Sequence, residues 1–299
     1  MARTNIVTLD LNFQNKTQAI ASYLIRHATG AVLVESGPGS TLSALQAGLA
    51  REGLSPRDIT HVLLTHIHLD HAGAAGWLSR HGAQVFVHPN GAAHMLNPEK
   101  LIASATRIYG DRMDTLWGEF LPVLEQQLTV PQDAEEIAIG NLRFVAVNTP
   151  GHAEHHYSYL FEDLCFSGDV GGVRIPGYPY LRAPMPPPEL HFGRWRESIA
   201  RLRSLKFTRI APTHFGIFDD VDWHLNELQS KLDASEKWLE ETMPADPPVD
   251  ELRARFVEWM NEQGRAQNLS EDVVTAYALA NPLDMSVDGM VRYWKKART

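Results

Sequence analysis

Residues 59–73 read ITHVLLTHIHLDHAG. The apolar run ITHVLL breaks into THIHLDHAG, so a strand is expected to end where His66, His68, Asp70 and His71 begin. A strand end followed by a turn projects alternate side chains to one side, so His66 and His68 can reach one metal ion while Asp70 and His71 reach another. Imidazole and carboxylate are ligand types for Zn, Fe or Mn, and three protein ligands per ion leave room for a water. An isolated histidine at a strand end is ordinarily solvated or a cap. Four metal-ligand side chains in the window 66–71, directly after an apolar strand, ask for another explanation.

Further along, three more strands deliver a ligand type at their tips. LRFVAVNT (142–149) runs into PGHAEHHYSYL and His152, LCFSGD (164–169) ends on Asp169, and FTRIA (207–211) precedes His214. Singly these are weak signals, because strand ends often carry His or Asp as turn formers. Their order, with the first cluster, completes a set of seven. Of the other histidines, His156 is placed to support a ligand by hydrogen bonding or to face the cleft, the alternative being a strand residue satisfied by the backbone. His27, His61, His81, His88, His94, His191 and His224 have no constellation around them and read as structural.

The order HxHxDH, a His after a Gly, an Asp and a final His resembles the metallo-β-lactamase superfamily, over about residues 5–220. The resemblance implies an α/β fold, a four-layer αββα sandwich with metals in a cleft at one edge of the sheets. It implies a first metal site of His66, His68 and His152, a second of Asp70, His71 and His214, and Asp169 bridging both. Two divalent ions, zinc first with iron or manganese as alternatives, would activate a water, and Asp70 is the acidic residue expected to orient it or carry its proton.

The remaining chain is compatible with that layering. IVTLDL (6–11), SYLIRH (22–27), AVLVE (31–35), QVFVH (84–88) and YSYLFE (157–162) read as strands, and 36–54 as a turn and a helix with Ser40 or Thr41 as N-cap and Gly53 as stop. A helical insert is expected over about 97–125, opened by Asn97 as N-cap and Pro98 as first helical residue. Its Tyr109 and Trp117 are candidates for a lid over the cleft, a dimer contact or a satellite core. The stretch PGYPYLRAPMPPP (176–188) is too proline-rich for regular structure, and its Tyr178, Tyr180 and Arg182 are the candidate substrate-binding residues. The catalytic domain is expected to span 1–220, followed by a helical C-terminal region over 221–299.

Composition narrows the partners. A formal net charge of −9 over 299 residues argues against a nucleic-acid backbone or an anionic membrane surface, which leaves a small-molecule substrate, with a homodimer allowed. One cysteine, no apolar run of membrane length and no signal-like start point to the cytoplasm. The expected activity is hydrolysis of an ester, thioester or lactone. THFGIF lacks the GHEY-like continuation of glyoxalase II, which disfavours a glutathione thioester. Two other classes compete: a non-haem iron oxidoreductase of the persulfide dioxygenase kind, and a signalling or binding protein whose helical tail meets a partner with its apolar positions exposed.

Overall fold

Period-two runs of β-branched and aromatic residues build two sheets in the computed structural model, which describes residues 3–297. The first sheet takes its strands in chain order: β1 (Ile6–Asp10), β2 (Ala21–His27), β3 (Gly30–Val34), β4 (Ile59–Leu63), β5 (Gln84–Phe86) and β6 (Leu128–Thr129). β1 to β3 form an antiparallel meander, and β3 to β6 run parallel. Parallel neighbours need crossovers, supplied by α1 (Leu42–Arg51), by α2 (Leu69–Ala72) with α3 (Ala75–Ser79), and by α4 (Pro89–Leu96), α5 (Glu99–Tyr109) and α6 (Met113–Trp117).

The second sheet has the order β11 (Arg209–Ala211), β10 (Leu164–Phe166), β9 (Tyr157–Phe161), β8 (Leu142–Asn148), β7 (Glu136–Ile139). It is antiparallel except for β10 beside β11, whose crossover carries α7 (Phe192–Ser204). β6, β7 and α7 are elements that the sequence reading does not anticipate.

Side-chain alternation sorts the layers. In β2, Tyr23 and Ile25 face the second sheet and meet Phe144, Tyr159 and Phe166 there, while Leu24 faces outward to the cluster containing Leu45, Leu49 and Leu78. On the far side, Cys165 and Ile210 pack under Trp195, Ile199 and Leu202 of α7. The result is helices, sheet, sheet, helices.

Beyond residue 220 the chain is helical, as α8 (Val221–Thr242), α9 (Val249–Ala266), α10 (Glu271–Ala280) and α11 (Leu283–Ala297), with the break at Met243–Pro248 falling between α8 and α9. Leu225, Leu228, Leu232, Leu239 and Phe256 are buried in the same cluster as α7, and Trp238, Trp259 and Trp294 pack partly buried against it. The apolar tail positions are therefore turned onto the body. This removes the exposed face that the partner-binding reading needed.

Two boundaries differ from expectation. Pro98 is the N-cap of α5 instead of its first residue, and Asn97 stands one position before the cap, its Oδ1 accepting the Glu99 N–H at 3.1 Å. The helical excursion begins earlier and ends earlier than 97–125, running from Pro89 to Trp117. Thr41 and Gly53 bracket α1 as expected, Gly53 at φ 69°. Thr41 caps without a side-chain bond to the helix, its hydroxyl donating to the Pro38 carbonyl instead at 3.0 Å.

Candidate metal centre

β4 ends at Leu63 and hands the chain to a loop in which buried Ile67 and Leu69 alternate with His66 and His68. The apolar residues anchor the loop, so the imidazoles are directed to one side. α2 then places Asp70 and His71 in its first turn, and the Ser36 and Gly37 N–H groups donate to the His71 carbonyl at 2.9 and 3.1 Å.

Asp169 sits in the one-turn helix Gly168–Gly171 after β10. Only glycine fits at 168: φ is 53°, and a Cβ would lie 2.5 Å from Thr65 Oγ1 and 2.6 Å from His156 Nε2. His152 follows β8, and His214 follows β11.

The donor atoms converge. His68 Nδ1 lies 2.9 Å from His66 Nε2 and 3.0 Å from His152 Nε2. Asp169 presents one oxygen to each of two groups: Oδ2 is 3.3 Å from His152 Nε2, while Oδ1 is 3.3 Å from His71 Nε2 and 3.4 Å from His214 Nε2. Asp70 Oδ2 lies 3.4 Å from His214 Nε2 and 3.7 Å from His71 Nε2. His66, His68, His152 and Asp169 form one set able to hold an ion, and Asp70, His71 and His214 another.

Hydrogen bonds behind the rings fix which nitrogen faces inward. His152 Nδ1 contacts the Pro184 carbonyl at 2.8 Å and His214 Nδ1 the Ala19 carbonyl at 2.6 Å. Carbonyls only accept, so both rings carry their proton on Nδ1 and offer a bare Nε2 to the centre. His71 Nδ1 meets the buried Glu35 carboxylate at 3.1 Å, and Glu35 also accepts from the Thr65 and Thr213 hydroxyls. His66 Nδ1 leans on Thr65 Oγ1 at 3.1 Å.

These residues fit divalent cations. His71 Nε2, His214 Nε2 and Asp169 Oδ1 are buried with no hydrogen-bond partner among the described residues, and a divalent cation beside them would satisfy all three. Burial, with His152 adding, pushes His68 down to about 3, so the ring is the neutral form that ligates. Burial works against an ionised Asp169, but His71, His152 and His214 hold its carboxyl well below the usual range. Replacing Glu35 by Gln removes the anion behind His71 while keeping the side-chain shape. The expected result is an approximately 10- to 100-fold weaker hold on metal, read by competition with a chelating dye.

Above the centre opens a cavity of about 270 Å³, with His68, Asp70, His152 and Asp169 among the residues lining its base. Leu101, Ile108, Tyr109 and Trp117 form one wall, Pro184 and Pro186 to Glu189 another, and Leu279 to Pro282 with Met285, where α10 turns into α11, a third. The C-terminal elbow, Glu189 and Lys100 carry no motif that marks them in the sequence, and His94, which reads there as structural, lines the cavity. His156 supports the Asp169 turn, accepting the Val170 N–H at 3.3 Å.

The expectation for Tyr178, Tyr180 and Arg182 needs correction, since none of the three lines this cavity. Tyr180 and Arg182 are each 1% exposed. The guanidinium lies 5.6 and 5.2 Å from the rings of Tyr180 and Tyr277, and half-buried Tyr178 packs into the same cluster. Stacking on the α10 tyrosine turns these side chains away from the metals, and the later prolines of the loop face the cavity instead.

A family model described as the Metallo-beta-lactamase superfamily matches residues 17–214. The chain belongs to the metallo-β-lactamase superfamily. A metallo-beta-lactamase fold-containing protein of Sulfurisphaera tokodaii, ST1585, is 29% identical over 180 residues, 58% of this chain and 67% of its own length. An Aspergillus fumigatus protein named atrochrysone carboxyl ACP thioesterase is 28% identical over 228 residues, 75% of this chain and 58% of its own. The lactamase-like protein aptB of Emericella nidulans is 26% identical over 216 residues, 71% and 56% of the two chains. The match thus spans little more than half the length of these fungal relatives. Among solved structures of the superfamily, a family protein from Thermus thermophilus, TTHA1429, superposes with a TM-score of 0.70 at 21% identity, covering 98% of this chain and 94% of the other. At that identity the likeness establishes the fold, a sandwich with helices outside both sheets, and no activity.

Proposed function

We propose that this metallo-β-lactamase superfamily chain is a dinuclear-metal hydrolase that cleaves an ester, thioester or lactone carbonyl of a small molecule. The observation that carries the reading is Asp169, whose two oxygens face two separate ligand groups beneath an open cavity. Two divalent cations, zinc first and iron or manganese as alternatives, would supply a water acidified to a pKa of roughly 7 and polarise the scissile carbonyl.

The chain's own contribution is position and proton handling. His66, His68 and His152 would hold one ion, Asp70, His71 and His214 the other, and Asp169 both. Side-chain exposure separates the two acids: Asp70 is 20% open and Asp169 5%. Asp70 is therefore the carboxylate placed to take a proton from the nucleophile and return it to the leaving group. The name of one fungal relative puts thioesters first in a substrate screen. Among the described residues no helix is long and apolar enough to cross a membrane.

The test is elemental analysis of protein purified without added metal, paired with thioester, lactone and ester substrates. Near two ions per chain are expected, with hydrolysis lost on chelation and in His68→Ala. One iron per chain with no hydrolysis would transfer the site to the oxygen-dependent alternative.

A further inference from the structure

Beside His68, the cavity is lined by two polar side chains that the metal centre does not use. The ring of His155 lies face to face with His66 at 6.0 Å and edge-on to His68 at 5.5 Å. Its Nδ1 receives the Ile67 N–H at 3.5 Å, which leaves the ring proton on Nε2. Glu189 comes from the end of the proline-rich loop, where its Oε2 accepts the Glu154 N–H at 2.9 Å. That loop is tied back twice, by the Pro184 carbonyl to His152 Nδ1 and by the His191 N–H to the Gly151 carbonyl, both at 2.8 Å. The carboxylate is thus held in place before any ligand arrives. His155 Nε2 lies 3.4 Å from Glu189 Oε2, a long separation for a hydrogen bond, and Glu189 Oε1 has no partner among the described residues. Both residues line the cavity with 10% and 32% of their side-chain surface open, and neither His155 Nε2 nor Glu189 Oε1 is enclosed. A donor and an anionic acceptor therefore stand side by side, within reach of a ligand and next to a metal ligand.

We propose that the cavity takes a hydroxyacyl substrate, an ester, thioester or lactone with a hydroxyl on a carbon close to the scissile carbonyl, and that this hydroxyl accepts from His155 Nε2–H and donates to Glu189. This rests on the hydrolase reading of the metal centre and specifies its substrate class. A hydroxyl is the group that fits, because one oxygen can accept and donate at once. A keto oxygen in its place could accept from His155 but would set its lone pairs against the carboxylate. A methylene would strip water from both groups and leave them unpaired. The contact of His155 with His68 puts the hydroxyl near the first ion, hence near the carbonyl that the ions would polarise. The rest of the acyl chain runs along the apolar wall of Leu101, Ile108, Leu279 and Met285. A site built to pair a substrate hydroxyl rejects the analogue lacking it far more strongly than an apolar pocket rejects an extra methylene, so the pair sets specificity as well as affinity.

The experiment is calorimetric binding of hydroxamates, which chelate metal, to the metal-loaded full chain, each affinity being read against that of acetohydroxamate in the same variant. A straight-chain alkyl hydroxamate is compared with its hydroxy and keto analogues, the oxygen being moved along the chain and both hydroxy enantiomers being used. The best hydroxy analogue is expected to bind about tenfold more tightly than the alkyl compound, and its keto counterpart no more tightly than the alkyl compound. In Glu189→Gln the side-chain carbonyl takes over the Glu154 N–H and the amide N–H groups turn to the cavity. The keto analogue is then expected to draw level with the hydroxy one or pass it, a reversal that loss of structure alone would not produce. In His155→Phe, which keeps the ring stacking, the hydroxyl preference should shrink to within about threefold. Equal affinity of the wild type for the alkyl and all hydroxy compounds, or a hydroxyl preference that survives either substitution intact, overturns the assignment. Failure of acetohydroxamate itself to bind overturns the metal reading together with it, and is thereby told apart from failure of the His155 and Glu189 pair.

Discussion

Asp169→Ala is expected to strip metal from both positions and to lower hydrolysis about a thousandfold or more, the scale of losing a preorganised charge and its cation at a reacting carbonyl. The reason is the split use of one carboxylate. Oδ2 belongs with His152, and Oδ1 with His71 and His214. Removing it leaves five imidazoles and Asp70, with no anion between the two groups. The fold should persist, since each ring nitrogen facing away from the centre on His71, His152 and His214 keeps its own anchor, at Glu35, Pro184 and Ala19. Asp169→Asn is the sharper variant: it keeps one carbonyl oxygen, so it should retain at most one ion per chain. Elemental analysis with circular dichroism separates metal loss from unfolding. An Asn variant that still carries two ions would show that Asp169 does not bridge.

How far the sequence discloses this site depends on the kind of element involved. β4 and its ligands are legible because a β-branched run has a period and the break in that period falls on the histidines. β7, by contrast, is a four-residue EIAI whose alternation is too short to stand out beside the charged residues before it, although its burial alternates as a strand should. α7 carries Phe192, Trp195, Ile199 and Leu202 at helical spacing, yet it opens on His191, whose ring accepts the Arg194 N–H at 3.3 Å in place of the usual Ser, Thr or Asp cap. The proline-rich loop has no period at all, so nothing in it says which side chains face the metals. Residue chemistry alone therefore points to Tyr180 and Arg182 as substrate contacts, whereas Arg182 lies over the Tyr277 ring of α10 and Tyr180 meets that ring edge to face. Contacts between distant segments, such as Tyr109 with Met285, leave no local trace in the sequence.

Trp195 is where the unread helix meets the read motif, and Trp195→Ala is expected to be the most damaging substitution outside the ligand set. The side chain is fully buried. Its Nε1 donates to the Val170 carbonyl at 2.9 Å, one residue from Asp169, and its ring stands edge-on to His152 at 5.7 Å. The backbone approaches as closely: a Cβ on Gly151 would fall 2.4 Å from Trp195 Cα, so the turn carrying His152 rests directly on α7. Truncation to Ala leaves a cavity between the second sheet and the C-terminal helices, at about 3–5 kcal/mol, and a fall in Tm on the order of 10 °C. It also frees the supports of His152 and of the turn that carries Asp169, so metal affinity should fall with stability. Trp195→Phe restores most of the volume but leaves the Val170 carbonyl buried without its donor, at about 1–3 kcal/mol. The comparison discriminates between two roles for α7. If both variants lose stability but bind metal as tightly as the wild type, the helix is only a cover for the second sheet. If metal affinity falls in Ala and partly recovers in Phe, the ligand geometry is set from α7, and a helix with no ligand of its own belongs to the centre.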